Sequence, residues 1–138
     1  MNSENSNHNA KISIGLPVYN GEHFLEQRLN SLLSQTFSEF ELIISDNAST
    51  DSTGSICQMY AERDSRVHYH LNETNLGPVA NFNGLIHLAR GKYFMWAADD
   101  DWWEPDYVSC MTNALDNNPD AVLSFSGYDF ISAEKTSF

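Results

Sequence analysis

The sequence predicts an α/β domain built on a mainly parallel sheet with helices on both faces, and two observations predict it. Five short runs rich in β-branched and aromatic residues read as strands: KISIGLP, FELIISD, RVHYHL, KYFMWAA and AVLSFSG. Stretches with helical apolar spacing separate them, and strict alternation of strand and helix implies right-handed crossovers between parallel strands.

Taken in order, Leu25, Leu29, Leu32 and Leu33 fall at i, i+4, i+7 and i+8, which is one face of a helix between the first two strands. Ile56, Met59 and Tyr60 repeat the pattern more briefly before the third strand. Val79, Phe82, Ile86 and Ala89 give a third stripe. Tyr107, Val108, Met111 and Leu115 give a fourth, with Pro105 suited to a first helical turn. Trp96 reads as core, and of Trp102 and Trp103 one is expected to pack beneath the last helix while the other faces outward as an apolar platform.

A sheet of this kind takes its ligands outside the carboxyl ends of the strands. The polar clusters PVYNGE, DNASTD, NETNLGP and DDDWW follow strands one, two, three and four, so all four are predicted to share one edge. That convergence is the strongest sign of a site.

Composition narrows what the site could bind. The chain has 138 residues, 41% of them hydrophobic, which suits one domain; the polar start, residues 1–10, reads as a disordered tail before a domain over 11–138. Nineteen acidic residues against seven Lys plus Arg give a net charge of −12, which disfavours nucleic acid and anionic membrane surfaces. An anionic small molecule would then need backbone N–H groups or a bound cation. The two cysteines, Cys57 and Cys110, have neither metal-ligand spacing nor disulfide-scaffold density, pointing to a reducing, cytoplasmic compartment. No apolar run approaches the ~18 residues needed to span a bilayer.

Three adjacent carboxylates, Asp99, Asp100 and Asp101, repel one another unless solvated, protonated or bound to a cation. Mg²⁺ or Mn²⁺ is an economical partner because both favour oxygen ligands and bridge to phosphates. The plainer reading is that the aspartates cap the following helix. Neither dinucleotide-binding nor P-loop glycine patterns occur, nor a nucleophile elbow. His68 and His70 share a strand face without a third ligand and read as structural. Tyr19 could present its ring to a planar base, or simply pack in a turn; Asp46, Asn47 and Asp51 could contact a ligand or serve as turn and cap residues.

Taken together, ISIGLPVYNGEHFLEQRLNSLLSQTF, ELIISDNASTD, NLGPVANFNGLIHLARGKYF and ADDDWWEPD resemble the nucleotide-sugar-binding half of a family 2 glycosyltransferase with the Rossmann-like GT-A fold. The resemblance runs from about Lys11 to near Ser126. It implies that Pro17, Val18 and Tyr19 hold the nucleobase, with Tyr19 stacking on it and Glu22 close by. The residues after strand two, often Asp-Asp in the family, are here Asp46 and Asn47 and would meet the base edge; Asn both donates and accepts, whereas an ionised Asp only accepts. The family's acidic motif often reads Asp-x-Asp-Asp, with its last Asp four residues before a proline. Counting back from Pro105 makes Asp101 the metal ligand, Asp100 a contact to the ribose or metal shell, and Ala98 the usual first Asp, for which Asp99 would substitute.

The activity implied is transfer of a sugar from a nucleotide-diphosphate donor, with a UDP-sugar favoured, to a hydroxyl of a glycan or lipid-linked acceptor. The implied reaction is metal-dependent and inverting, in polysaccharide or glycoconjugate biosynthesis. The family's catalytic base is expected beyond Phe138, so the chain reads as truncated before the acceptor-binding half, with self-association expected of the exposed surfaces. A place at the inner face of the membrane is expected of a full-length protein. A non-catalytic nucleotide-binding module is the alternative; a receiver-type signalling domain fits less well, because its acidic groups should follow strands one and three. A nucleotidyltransferase shares the metal logic but would need a glycine-rich basic loop after strand one.

Overall fold

The computed structural model describes residues 10–98 and 101–128. In chain order the elements are β1 (Ile12–Val18), α1 (Glu22–Leu33), β2 (Phe40–Asp46), α2 (Thr53–Arg63), β3 (Val67–Leu71), α3 (Pro78–Leu88), β4 (Tyr93–Trp96) and α4 (Tyr107–Asp116). Among the described residues the sheet runs β3-β2-β1-β4, with every pairing parallel. Two crossovers through α1 and α2 step the chain one way from β1. The third, through α3, returns it to the far side of β1, and with right-handed connections this reversal puts α3 on the opposite face.

Every residue of β1 and β2 is buried, as central strands covered on both sides require. Their two faces are not alike. Ile12, Ile14, Leu16, Phe40, Leu42 and Ile44 join Leu25, Leu29, Leu32 and Cys57 in the main core. The alternate residues of these strands, among them Ser13, Gly15, Glu41 and Ser45, turn toward α3. A Cβ on Gly15 would come within 2.8 Å of the Phe94 ring and 3.2 Å of Leu85 Cβ, so this face is closely packed but short of apolar bulk.

That difference shows in α3. Its inward residues are Asn81 and Leu85, while Val79, Phe82 and Ile86 are exposed, Val79 to 72%. The rotation is set by Ser45, whose Oγ donates to Asn81 Oδ1 at 2.5 Å, while Asn81 Nδ2 donates to the Ser45 carbonyl at 3.0 Å. Two hydrogen bonds to a buried polar strand residue hold the helix with Asn81 inward and its apolar stripe outward.

Two expectations are corrected. Trp96 is 47% exposed rather than core, because β4 is an edge strand among the described residues; its ring stands edge-on to Phe94 and its Nε1–H donates to the Phe82 carbonyl at 3.3 Å. Residues 121–127 form no fifth strand: Val122, Leu123 and Phe125 are exposed, and the run is tethered to α4 by Ser124 Oγ donating to the Met111 carbonyl. An apolar run becomes a strand only where a neighbouring backbone pairs with it and a face awaits covering. Of the two adjacent tryptophans, Trp103 is buried and Trp102 exposed, as expected.

At the amino edge of the sheet a buried carboxylate is neutralised by donors. Glu41 Oε1 accepts from Ser13 Oγ at 2.6 Å and from the Arg90 N–H at 2.8 Å, and Oε2 lies 3.6 Å from His68 Nε2. His68 is thus structural, as its strand position suggests. Asp116 ties the end of α4 to the sheet by pairing with Lys11 and Lys92 and accepting from Tyr93 Oη at 2.9 Å.

The Lys11 ammonium and the Tyr93 hydroxyl hold the Asp116 carboxyl down to about 2, against an ordinary 3.8. A depressed pKa stabilises the fold above the unfolded-state value, and that contribution is lost as pH falls toward the folded value. Asp116→Asn is therefore expected to lower the melting temperature at neutral pH, and its deficit relative to wild type should shrink as pH drops from about 4 to about 2. Thermal unfolding across that range checks it; a constant deficit would contradict the assignment.

Candidate functional site

The strand register assembles the site. Val18 pairs with Asp46 and Asp46 with Leu71, so β1, β2 and β3 end in one line. The ladder continues one residue further, with the Asn47 N–H donating to the Val18 carbonyl and the Asn72 N–H to the Asp46 carbonyl, both at 2.9 Å. β4 stops at Trp96, opposite Gly15, so the chain around Asp101 leaves the sheet beside the β1 terminus. Because the topology reverses between β1 and β4, this is the switch point at which open α/β sheets leave a crevice.

Pro17 removes one rung from that seam. The Gly15 carbonyl accepts from the Ala97 N–H at 2.9 Å, and the Val18 carbonyl faces β2, so by alternation the Pro17 nitrogen faces β4. The next ladder bond, to the Ala97 carbonyl, has no donor. Proline inside a central strand is tolerated because it stands where its neighbour ends.

Loops β1–α1 and β2–α2 are stapled to each other. Asn20 N–H donates to Ser49 Oγ (2.9 Å), Thr50 N–H to Asn20 Oδ1 (2.8 Å), Gly21 N–H to Thr53 Oγ1 (2.9 Å), Glu22 N–H to Asp51 Oδ2 (3.3 Å) and Ser52 N–H to Glu22 Oε2 (2.9 Å). The Ser52 backbone bond holds the Glu22 carboxyl below its ordinary range. Asp51 also accepts from the Thr53 N–H, so it serves as a turn residue opening α2. Between these staples Tyr19 stands out, 48% exposed, with its ring offered at the strand end.

Asp46 and Asn47 lie deeper, only 1% and 3% exposed. Asp46 Oδ1 accepts from the Ser49 N–H and Oδ2 from Tyr69 Oη, each at 2.9 Å. Burial, with this bond to a carboxylate, pushes the Tyr69 phenol well above its ordinary range. Burial and then Asp46 push the Cys57 thiol up to about 12. Asn47 Nδ2 donates to Asn75 Oδ1 at 2.9 Å, while Oδ1 accepts from Asn72 Nδ2 at 3.2 Å and from the Leu76 N–H at 2.9 Å.

Asp99 and Asp100 lie outside the described residues. Asp101 is exposed and its N–H reaches the Ala98 carbonyl at 3.4 Å; among the described residues its carboxylate has no hydrogen-bond or ion-pair partner. It does not cap α4, whose N-cap is Asp106. Among the described residues no three His, Cys, Asp or Glu side chains gather as metal ligands, and no helix is long and apolar enough to cross a membrane.

The chain after Asp101 is held by α1. Ser31 Oγ donates to the Trp103 carbonyl (3.1 Å), Gln35 Nε2 to the Glu104 carbonyl (2.7 Å), and Gln35 Oε1 accepts from the Val108 N–H (3.0 Å). Ser31, inside α1, and Gln35, just past its end, escape a reading of the sequence because polar residues on or beside an amphipathic helix read as facing solvent. The roles of Asn72, Asn75 and Asn81 are equally silent, though three asparagines in ten residues were a visible signal.

A parallel sheet whose polar loops gather at its carboxyl edge defines the class: an α/β domain that takes its ligand at the strand ends. The model for "Glycosyl transferase family 2" matches residues 13–136, and the chain belongs to that family. It is 30% identical over 125 residues to a Bacillus subtilis glycosyltransferase, TuaG, named for teichuronic acid biosynthesis, covering 91% of this chain and 49% of TuaG. S. aureus TarS 1–349, crystallised with UDP-GlcNAc, has the same GT-A fold at a TM-score of 0.74 and 29% identity, over 79% of this chain and 32% of TarS. The mannosyltransferase PcManGT of Pyrobaculum calidifontis, crystallised with GDP-Man and Mn²⁺, superposes at 0.71 with 22% identity over 76% of this chain and 32% of its own, a likeness of fold. The chain spans about half the length, or less, of the curated relatives it matches.

Ala48 closes the turn after Asn47 at φ 61°, in the left-handed region. A Cβ is costly there by ~1–2 kcal/mol, and glycine removes that cost while giving back some chain entropy. Ala48→Gly is expected to stabilise the protein by up to about 1 kcal/mol in urea unfolding; a loss of stability would show that the turn is not under strain.

Proposed function

We propose that this chain is the donor-binding part of a glycosyltransferase that moves a sugar from a nucleotide-diphosphate donor to an acceptor hydroxyl, with inversion and with a divalent cation, in glycan or glycoconjugate assembly. The observation that carries it is the shared edge: the exposed Tyr19, and an Asp101 whose carboxylate has no partner among the described residues, lie on the side of the β1–β4 switch point in a chain of family 2. The TarS complex with UDP-GlcNAc supports a uridine donor, and the naming of TuaG supports a surface-polymer pathway.

In this reading Tyr19 stacks on the base, and the Pro17–Val18 strand end and the Glu22-stapled turn hold it there. Asp46 and Asn47 lie in the floor beneath the base. The donor extends across the strand ends toward the acidic run; three interstrand gaps of about 4.8 Å separate β3 from β4, giving the edge a span of about 14 Å. Asp101 fits a hard cation, since its oxygens are the preferred ligand type and are not committed to any other group among the described residues. Asp101 with Asp99 would hold Mg²⁺ or Mn²⁺, and Asp100 the ribose or metal shell; a bound ion supplies positive charge for the departing diphosphate. The acceptor oxygen bonds to the anomeric carbon as the bond to the diphosphate breaks, and a carboxylate of the complete enzyme takes the hydroxyl proton.

Calorimetric titration with UDP, GDP and dTDP, with and without Mn²⁺, tests this. One nucleotide should bind in a metal-dependent way. Tyr19→Ala, losing a stacking partner worth ~1–3 kcal/mol, should weaken binding by roughly 5- to 150-fold. Asp101→Asn should abolish the metal dependence, whereas Asp120→Asn, an exposed change beyond α4, should leave it intact. Binding of no nucleotide, or equal effects of the two Asp→Asn changes, would sink the reading.

A further inference from the structure

Asn47 stands where a residue reading the base edge would be sought, yet its amide is committed to the protein. Its Oδ1 accepts two hydrogen bonds, from Asn72 Nδ2 and the Leu76 N–H, which fills both lone pairs; one of its two Nδ2 hydrogens goes to Asn75 Oδ1. Asn75 Oδ1 in turn accepts from the Gly77 N–H at 2.8 Å, and Asn72 Nδ2 also donates to Asn81 Oδ1 at 3.1 Å. The N–H groups of Leu76 and Gly77 are therefore satisfied by side-chain amides and not by a strand ladder. The shape of residues 72–77 depends on that network, and Asn47 is its buried node.

We propose that Asn47 is a positioning residue: through Asn75 and the Leu76 N–H it sets residues 72–77 as the second wall of a slot for the nucleobase, with Tyr19 as the first. The proposal rests on the donor-binding reading above. The geometry suits one planar ring system. β1 and β3 are separated by β2, two gaps of about 4.8 Å, so loops rising from their ends stand about 10 Å apart, backbone to backbone. The Tyr19 turn is stapled independently, by Ser49, Thr50 and Thr53. The opposite wall has Asn47 and Asn75 in that role. Removing the Asn47 amide leaves the Leu76 N–H without its acceptor and Asn75 Oδ1 without one donor, so the wall would loosen while the sheet beneath it stays paired.

The test uses the same 138-residue chain. Binding of UDP, GDP and dTDP with Mn²⁺ is measured for wild type, Asn47→Ala, Asn75→Ala, the double variant and Asn47→Asp, alongside amide hydrogen exchange resolved to residues 72–77. Asn47→Ala and Asn75→Ala should each weaken every nucleotide that wild type binds by a similar factor, about tenfold for a lost buried hydrogen bond. The double variant should bind no worse than the weaker single, as expected of two residues acting through one loop. Exchange over 72–77 should rise in both singles with α1 unchanged. Asn47→Asp, which keeps both acceptor bonds but loses the donor to Asn75 Oδ1, should recover only part of the affinity. If Asn47→Ala instead changes the order of preference among nucleotides with exchange over 72–77 unchanged, or if the two single losses add, Asn47 contacts the base itself and the positioning role is overturned. If wild type binds no nucleotide, the donor-site reading falls, and the slot with it.

Discussion

The parallel pairing of β1 with β2, seven residues against seven, is the constraint on which the rest depends. It buries both strands fully, which obliges a helical layer on each side, and it brings Val18 level with Asp46 so that two loops distant in sequence start beside each other. The staples between those loops are consequences of that register. A slip of one residue would move Ile14 and Leu16 to the face of α3 and Ser13 and Gly15 into the apolar core, so the register is enforced by burial over its whole length.

The two layers are held by different physics. On the side of α1 and α2 the contact is apolar, a leucine stripe against alternate strand residues. On the side of α3 it is polar and close, resting on Ser45 with Asn81, Ser13 with Glu41, and a glycine that lets Leu85 approach. Polar contacts of this kind specify rotation and position more sharply than apolar ones because they fail when misaligned. The consequence is an outer face of α3 on which Val79, Phe82 and Ile86 stand in solvent, with Val79, Phe82 and the neighbouring Trp96 around a shallow cavity of about 390 Å³.

The four strands and four helices were legible because apolar runs and helical spacing report local structure directly. The helix phase of α3 was not, since periodicity names an apolar stripe without saying whether a neighbour exists to cover it. The run at 121–127 misled for the same reason: its residues suit a strand, but pairing is a property of two segments. At the site, Tyr19 and Asp101 were readable as residue types at strand ends. The work of Asn47 was not, because its partners Asn72, Asn75 and Leu76 lie some thirty residues away and meet it only through the β2–β3 register.

Pro17 has a kinetic meaning beyond its tolerance in the strand. A crevice closed by ladder hydrogen bonds would have to open before anything entered, adding a conformational step ahead of each encounter. Here Pro17 has no N–H to give the Ala97 carbonyl, so one rung of the seam beside Tyr19 is permanently missing on the β1 side. A ligand entering at that position would break no hydrogen bond donated by Pro17, since proline has no N–H to give.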